Sequence, residues 1–355
     1  MKNSKRIYTI DLARTFAILC VLLTHATESV YDFSSDFLCT APNRVTVLGV
    51  LLHTIGRLGV PVFVMLTGYL MLDREYDQER TIFFYKNSFF RLLLVTVIWI
   101  VIYYFYSNWW NQSSFDLQKL IEQILFFRTP SANHIWYMGT ILGVYLVIPF
   151  LATILKNINK KVLLFVIGFS CIYFFVPPTI NVFRRVEDGI SLQSQFNLGF
   201  SGGWYGILAI VGWMIKKGYF DQLKTWCYLP LAFVFLILTT ALQVYSIRNG
   251  IVFTVWYDSI LLNLSSVFFL LFLLQIKKSR CNKIVMWIGY SSFAVYLIHM
   301  TIMPSVAKVL NEHGLLVSHL QKTLAIFLAT FFVCEFVVFL LSRSKKISKI
   351  LFGMK

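Results

Sequence analysis

Ile7-Tyr8-Thr9-Ile10-Asp11-Leu12-Ala13-Arg14 opens an apolar run that continues through Thr24 to His25. The run has about the ~20 residues that a helix needs to cross a ~30 Å hydrocarbon core. Yet it contains an acid, an arginine and a histidine. At ~100° per residue, the path from Arg14 to His25 ends ~20° past three full turns, so both side chains share one helix face. Along the axis they stand ~16 Å apart. Ionisable groups facing one way inside a bilayer mark a functional site by default.

The rest of the chain supports a membrane reading. Of its 355 residues, 58% are hydrophobic and 14% charged, and the mean hydropathy is +0.70. Soluble domains carry nearer a quarter charged residues and do not repeat such long apolar stretches. Ten spans are predicted, near 7–28, 46–72, 89–107, 134–155, 162–178, 200–215, 226–246, 256–276, 284–304 and 321–342. The expected fold is all-α: a polytopic integral membrane helical bundle of about ten transmembrane helices, forming a single domain over 1–355. No internal repeat or low-complexity linker divides it.

The net charge of +16 raises the question of nucleic acid, but its distribution answers it. With the N-terminus inside, cytoplasmic segments hold 22 Lys and Arg against eight outside, with Arg14 and Arg57 within spans. This positive-inside pattern places both termini in the cytoplasm. The basic excess faces anionic lipid, so the expected partner is the bilayer and not nucleic acid. Lys2, Lys5 and Arg6 mimic a signal peptide, but Asp11 and Arg14 interrupt its core and no small-x-small cleavage site follows. The six scattered cysteines contain no Cys-x-x-Cys pair, and the histidines lack metal-ligand spacing, so no metal site is expected.

The candidates for chemistry are single residues. His25 suits a general base, since imidazole takes a hydroxyl proton near neutral pH. Alternatively, it is a hydrogen bond between packed helices. Arg14 keeps its charge, so it needs either Asp11 one turn earlier or an anionic ligand from the cytoplasm. The second span carries Gly56, Gly59 and Pro61 at its middle, so it is expected to kink or unwind there, which is tolerated only against protein or a cavity. His53 and Arg57 are four apart and share a face of it. They form either half of a polar cavity or a partner for carbonyls exposed by the break. His134, followed by Trp136 and Tyr137, starts the fourth span, where an interfacial anchor is the simpler reading. His299 and Tyr296 lie deep in the ninth span, and Glu335 in the tenth is expected to be a packing partner. Trp109 and Trp110 read as an aromatic belt, with sugar stacking as the alternative.

Four stretches together carry a family resemblance. Asp11-Leu12-Ala13-Arg14 with His25 resembles the first-span signature of the membrane acyltransferase type 3 family. Arg57-Leu58-Gly59-Val60-Pro61-Val62-Phe63 through Thr67-Gly68-Tyr69 is similar to its second-span stretch. His134-Ile135-Trp136-Tyr137 with Pro149 is similar to its fourth-span opening. Gly289-Tyr290-Ser291-Ser292 with Tyr296, Leu297 and His299 is similar to a late-span motif.

The resemblance implies an O-acyltransferase of the bacterial cytoplasmic membrane. It would move an acyl group, by default acetyl, from acetyl-CoA as co-substrate to a hydroxyl of a surface polysaccharide or its lipid-linked precursor. It implies catalysis by the histidine matched by His25, as base or acyl carrier, and donor handling by Arg14. Asp11, Arg57, His53, His134, Trp136, Tyr296 and His299 complete the expected substrate and donor site. The family's paired arginines before the third span are absent here, where Ser88 and Arg91 stand, so Lys86 and Arg91 are the expected phosphate partners. The alternative to an enzyme is an exporter of an envelope glycan using the same polar cavity; exporters commonly show a broken helix in each half. Only the second span supplies one.

Overall fold

The computed structural model describes residues 7–33, 37–187, 192, 203–251, 255–277, 282–312 and 318–354, and all its described elements are helical. Helices stand at each of the ten expected places. In chain order they are α1 (Tyr8–Glu28), α2 (Asn43–Met71), α3 (Gln78–Trp110), α4 (Asn133–Asn157), α5 (Lys160–Arg185), α6 (Gly203–Lys216), α7 (Thr225–Arg248), α8 (Ile260–Gln275), α9 (Lys283–Glu312) and α10 (His319–Ser342). Eight are long and apolar enough to cross a membrane. The other two, α6 and α8, have 14 and 16 residues. At ~1.5 Å per residue they reach only ~21 and ~24 Å, so longer neighbours must shield their ends. A short amphipathic helix, α11 (Lys345–Phe352), follows α10.

α1 is the central helix, packing against α2, α8, α9 and α10. It buries Ala13, Ala17, Ile18, Leu22 and Ala26 completely, because small side chains let four neighbours close around it. The second half of α2 lies along α6 through reciprocal glycines. A methyl group added at Gly68 would strike the backbone of Ala209, and one at Gly212 would strike that of Met65. At the periphery, α5 turns Val162, Leu164, Phe165 and Ile172 outward, and α10 turns out Phe332, Phe336 and Leu340. These large exposed apolar faces suit contact with lipid.

The expected break in α2 falls at Leu58, between helical segments Asn43–Arg57 and Gly59–Met71. Its cause is local. Pro61 has no N–H to give the Arg57 carbonyl, and the ladder resumes with Val62 N–H donating to Leu58 O. Other boundaries differ from expectation, α5 among them, which ends at Arg185 and not at 178. α3 begins eleven residues early, where the Asp77 side chain caps it by accepting from Arg80 N–H at 2.8 Å, and it passes through a π-helical turn at Tyr85–Phe89. α9 runs on past Pro304 to Glu312. Hydropathy missed the α3 and α9 extensions because charged and amide residues interrupt the added turns. Glu335 accepts hydrogen bonds from Trp287 Nε1 at 2.8 Å and Ser291 Oγ at 2.8 Å, tying α9 to α10 as a packing partner should.

Candidate active site

The functional cluster is built at the outer end of α1, remote from the basic face where α1 begins and α10 ends. α1 and the first half of α2 approach closely there, because a side chain at Gly56 would overlap the backbone of Thr24. That contact brings His53 and Arg57 against the last turn of α1. Glu28 joins them. One of its carboxylate oxygens, Oε2, accepts from His25 Nδ1 at 2.9 Å. The other, Oε1, accepts from Arg57 Nη2 at 2.9 Å and stands 3.2 Å from His53 Nε2.

Arg57 is held from every side. It also donates through Nη1 to Tyr257 Oη at 3.2 Å, its Nε lies 3.2 Å from His53 Nε2, and its guanidinium sits 4.7 Å above the Trp256 ring. Trp136 packs at a tilt against Trp256 and Tyr257 at 5.3 and 5.6 Å, extending the aromatic wall beside the arginine. A buried guanidinium needs such a counter-charge and such donor contacts. His53 therefore belongs to a polar cluster, and its bonds go to side chains and not to carbonyls freed by the break.

The tautomer of His25 follows from its partner. A carboxylate only accepts, so Nδ1 carries the proton, and in the neutral ring Nε2 presents a lone pair. The His25 side chain is 21% exposed, so that lone pair is within reach of a ligand. Around it stand two further imidazoles. His299 lies 5.2 Å away, ring centre to ring centre, and His134 6.4 Å away, while those two rings meet edge-to-face at 4.8 Å. His299 Nδ1 donates to Tyr296 O at 2.6 Å, which leaves its Nε2 as a buried acceptor without a partner among the described residues. Both ring nitrogens of His134 are likewise buried and unpartnered. Buried polar atoms left unsatisfied cost about 1–3 kcal/mol each, a cost that functional sites commonly carry.

The interfacial-anchor reading of His134 is therefore corrected. Its ring is wholly enclosed, packed against Tyr103 and Tyr296, and its backbone carbonyl accepts from the Tyr296 hydroxyl. It sits at the outer end of α4 but points into the bundle. Trp109, by contrast, is 73% exposed, as a belt residue is.

Arg14 occupies a different compartment. With Asp11, whose Oδ1 is 3.3 Å from Arg14 Nη1, it lies on the basic half of α1. The arginine lines a cavity of about 230 Å³ together with Phe63, Thr67, Leu70, Tyr145, Tyr137 and Tyr296. Tyr296 is the link between the two compartments. It closes the cavity and also packs against His134 and His299, at 5.5 and 5.9 Å.

Of the residues expected at the site, the structure gathers His25, His53, Arg57, His134, Trp136, Tyr296 and His299 near the outer end, with Arg14 and Asp11 on the inner approach. Lys86 and Arg91 are not brought there. Lys86 is exposed on the π-helical turn, and Arg91 lies beside Gly353, after α11; neither lines the Arg14 cavity. Glu28 was missed. Its signal was available, since it follows His25 by three positions on the same helix, but it was hidden at the expected boundary of the span. Among the described residues, no group of three His, Cys, Asp or Glu could hold a metal ion.

The sequence model of the acyltransferase domain family matches residues 7–343, nearly the whole chain. No curated protein and no solved structure matches it. The matched range spans both the histidine cluster and the Arg14 cavity, and the chain belongs to the membrane acyltransferase type 3 family.

Proposed function

We propose that this acyltransferase moves an acyl group, by default acetyl, from cytoplasmic acyl-CoA to a hydroxyl of a surface polysaccharide or its lipid-linked precursor in the bacterial cytoplasmic membrane. The observation that carries this reading is the arrangement of the two compartments: an Arg14-lined cavity on the basic side that ends at Tyr296, against which His134 and His299 pack beside His25. A thioester arm entering past Arg14 would meet an acceptor hydroxyl entering beside the partly exposed Glu28 and His25.

In this reading, His25 Nε2 takes the hydroxyl proton while the oxygen forms its bond to the thioester carbonyl carbon. The C–S bond then breaks, and the leaving thiolate takes the proton back from His25. Glu28 holds the Nδ1–H tautomer and stabilises the imidazolium formed in between, as the carboxylate of a Ser-His-Asp triad does. An N–H of His134 is available to the carbonyl oxygen as negative charge develops there.

His25→Ala should abolish acyl-CoA-dependent acylation of envelope glycan, read by mass spectrometry, while the protein still inserts and purifies as a folded species. Full activity in that variant would refute the assignment.

A further inference from the structure

The basic face carries a second recess that no part of the catalytic cluster uses. It lies where α2, α4 and α6 end together, has a volume of about 510 Å³, and is lined by Leu72, Arg74, Lys156, Trp213, Lys217 and Tyr219, with Asp73 and Glu75. That volume is in the range of small-molecule sites. It adjoins the Arg14 cavity through consecutive residues of one segment, because Leu70 and Met71 line the cavity and Leu72 to Glu75 line the recess.

The charges in the recess are not all neutralised. Burial pushes the Asp73 carboxyl up, but hydrogen bonds from Lys217 and Lys216 outweigh it and hold its pKa below the ordinary value. Hydrogen bonds from Lys156 and Arg80 do the same for Glu75. Both acids are therefore carboxylates engaged with lysines. Arg74 differs. Its Nε donates to Leu70 O at 2.8 Å, which fixes the base of the guanidinium, and no acidic side chain among the described residues lies within ion-pair distance of it. Arg74 and Arg14 both act electrostatically on Tyr145, so the recess and the Arg14 cavity lie within reach of one side chain.

Beside the cations is an aromatic pair. Trp213 and Tyr219 stand 5.9 Å apart, with Lys217 Nζ 6.0 Å from the first ring and Lys160 Nζ 5.0 Å from the second. A planar base stacks on such rings, and a pre-oriented guanidinium fork suits phosphate oxygens.

We propose that this recess is the docking site for the phosphorylated nucleotide end of the acyl donor, with Arg74, Lys217 and Lys156 facing the phosphates and Tyr219 and Trp213 the base. The inference rests on the acyl-CoA reading above and deepens it. It moves phosphate recognition from Lys86 and Arg91 to Arg74, and it sets the thioester arm on course along Leu70 and Met71 into the Arg14 cavity.

The test is calorimetric titration of full-length, detergent-purified protein with coenzyme A, with 3′,5′-ADP and with pantetheine. Arg74→Gln combined with Lys217→Gln should weaken binding of coenzyme A and of 3′,5′-ADP at least tenfold, and leave the weaker pantetheine binding unchanged. Lys86→Gln combined with Arg91→Gln should bind as the wild type does. Should the first pair fail to fold, Arg74→Lys and Lys156→Gln provide milder substitutions, with threefold or greater losses expected. Unaltered coenzyme A affinity in the Arg74 variants, or a loss confined to the Lys86 and Arg91 variants, overturns the docking site while leaving the acyl-CoA reading intact. Wild-type protein that neither binds coenzyme A nor releases it from acetyl-CoA overturns both.

Discussion

Replacing Glu28 by Gln separates an orienting carboxylate from a merely structural one. Glu28 meets His25 at 2.9 Å, Arg57 at 2.9 Å and His53 at 3.2 Å. The introduced amide keeps one oxygen, which can remain on Arg57. Its NH2 group then faces His25 Nδ1–H, and two donors meet. The ring must flip or shift its proton to Nε2, where the base needs its lone pair. In a Ser-His-Asp triad the equivalent loss of tautomer control costs about 10⁴ in kcat. Glu28 is 32% exposed, so water replaces part of the lost contact and a smaller effect follows. The expected fall in kcat is about 10²- to 10³-fold, or roughly 3–4 kcal/mol. The acyl-donor KM should change little, because Arg14 and its cavity are untouched. The assay is release of coenzyme A thiol from acetyl-CoA in the presence of envelope glycan, with a melting curve as the folding control. A kcat within about threefold of wild type would refute the claim that Glu28 sets the state of His25.

Two further outcomes concern the scaffold and the basic face. Gly68→Ala drives a methyl into the Ala209 backbone, so overpacking should cost about 1–3 kcal/mol and lower the melting temperature in detergent. Gly143→Ala, which meets nothing within 4 Å, should not lower it, and equal behaviour of the two would contradict the packing of α2 on α6. Asp73 has a folded pKa below its ordinary value, so its contribution is present above the unfolded pKa and is lost as pH falls through the lower folded one. Asp73→Asn should therefore lower stability by about 1 kcal/mol or less at neutral pH, with the difference closing well below pH ~4. A difference that persists undiminished in acid would show that the Lys216 and Lys217 pairs are not its source.

The site was legible in proportion to how local its geometry is. The pairing of Arg14 with Asp11 and of His53 with Arg57 follows from helix periodicity, and both pairs are found. The kink beside Pro61 was legible because proline removes one specific donor. His134 was misjudged because its position at the start of a span says which depth it occupies and not which way its ring points. Arg74 carried no signal at all, being a lone basic residue between Asp73 and Glu75 in a short loop rich in acids.

By itself, the sequence determined the ten helices and the placing of Arg14, His25 and Arg57 within them, because hydrophobic length acts on each segment separately. Only the tertiary structure decided that His25, His134 and His299 meet, that Glu28 ties the first to Arg57, and that Tyr296 stands between the Arg14 cavity and the histidines. Those contacts depend on which helix faces pack together. That choice is made by small residues on neighbouring helices, and no periodicity within a single segment encodes it.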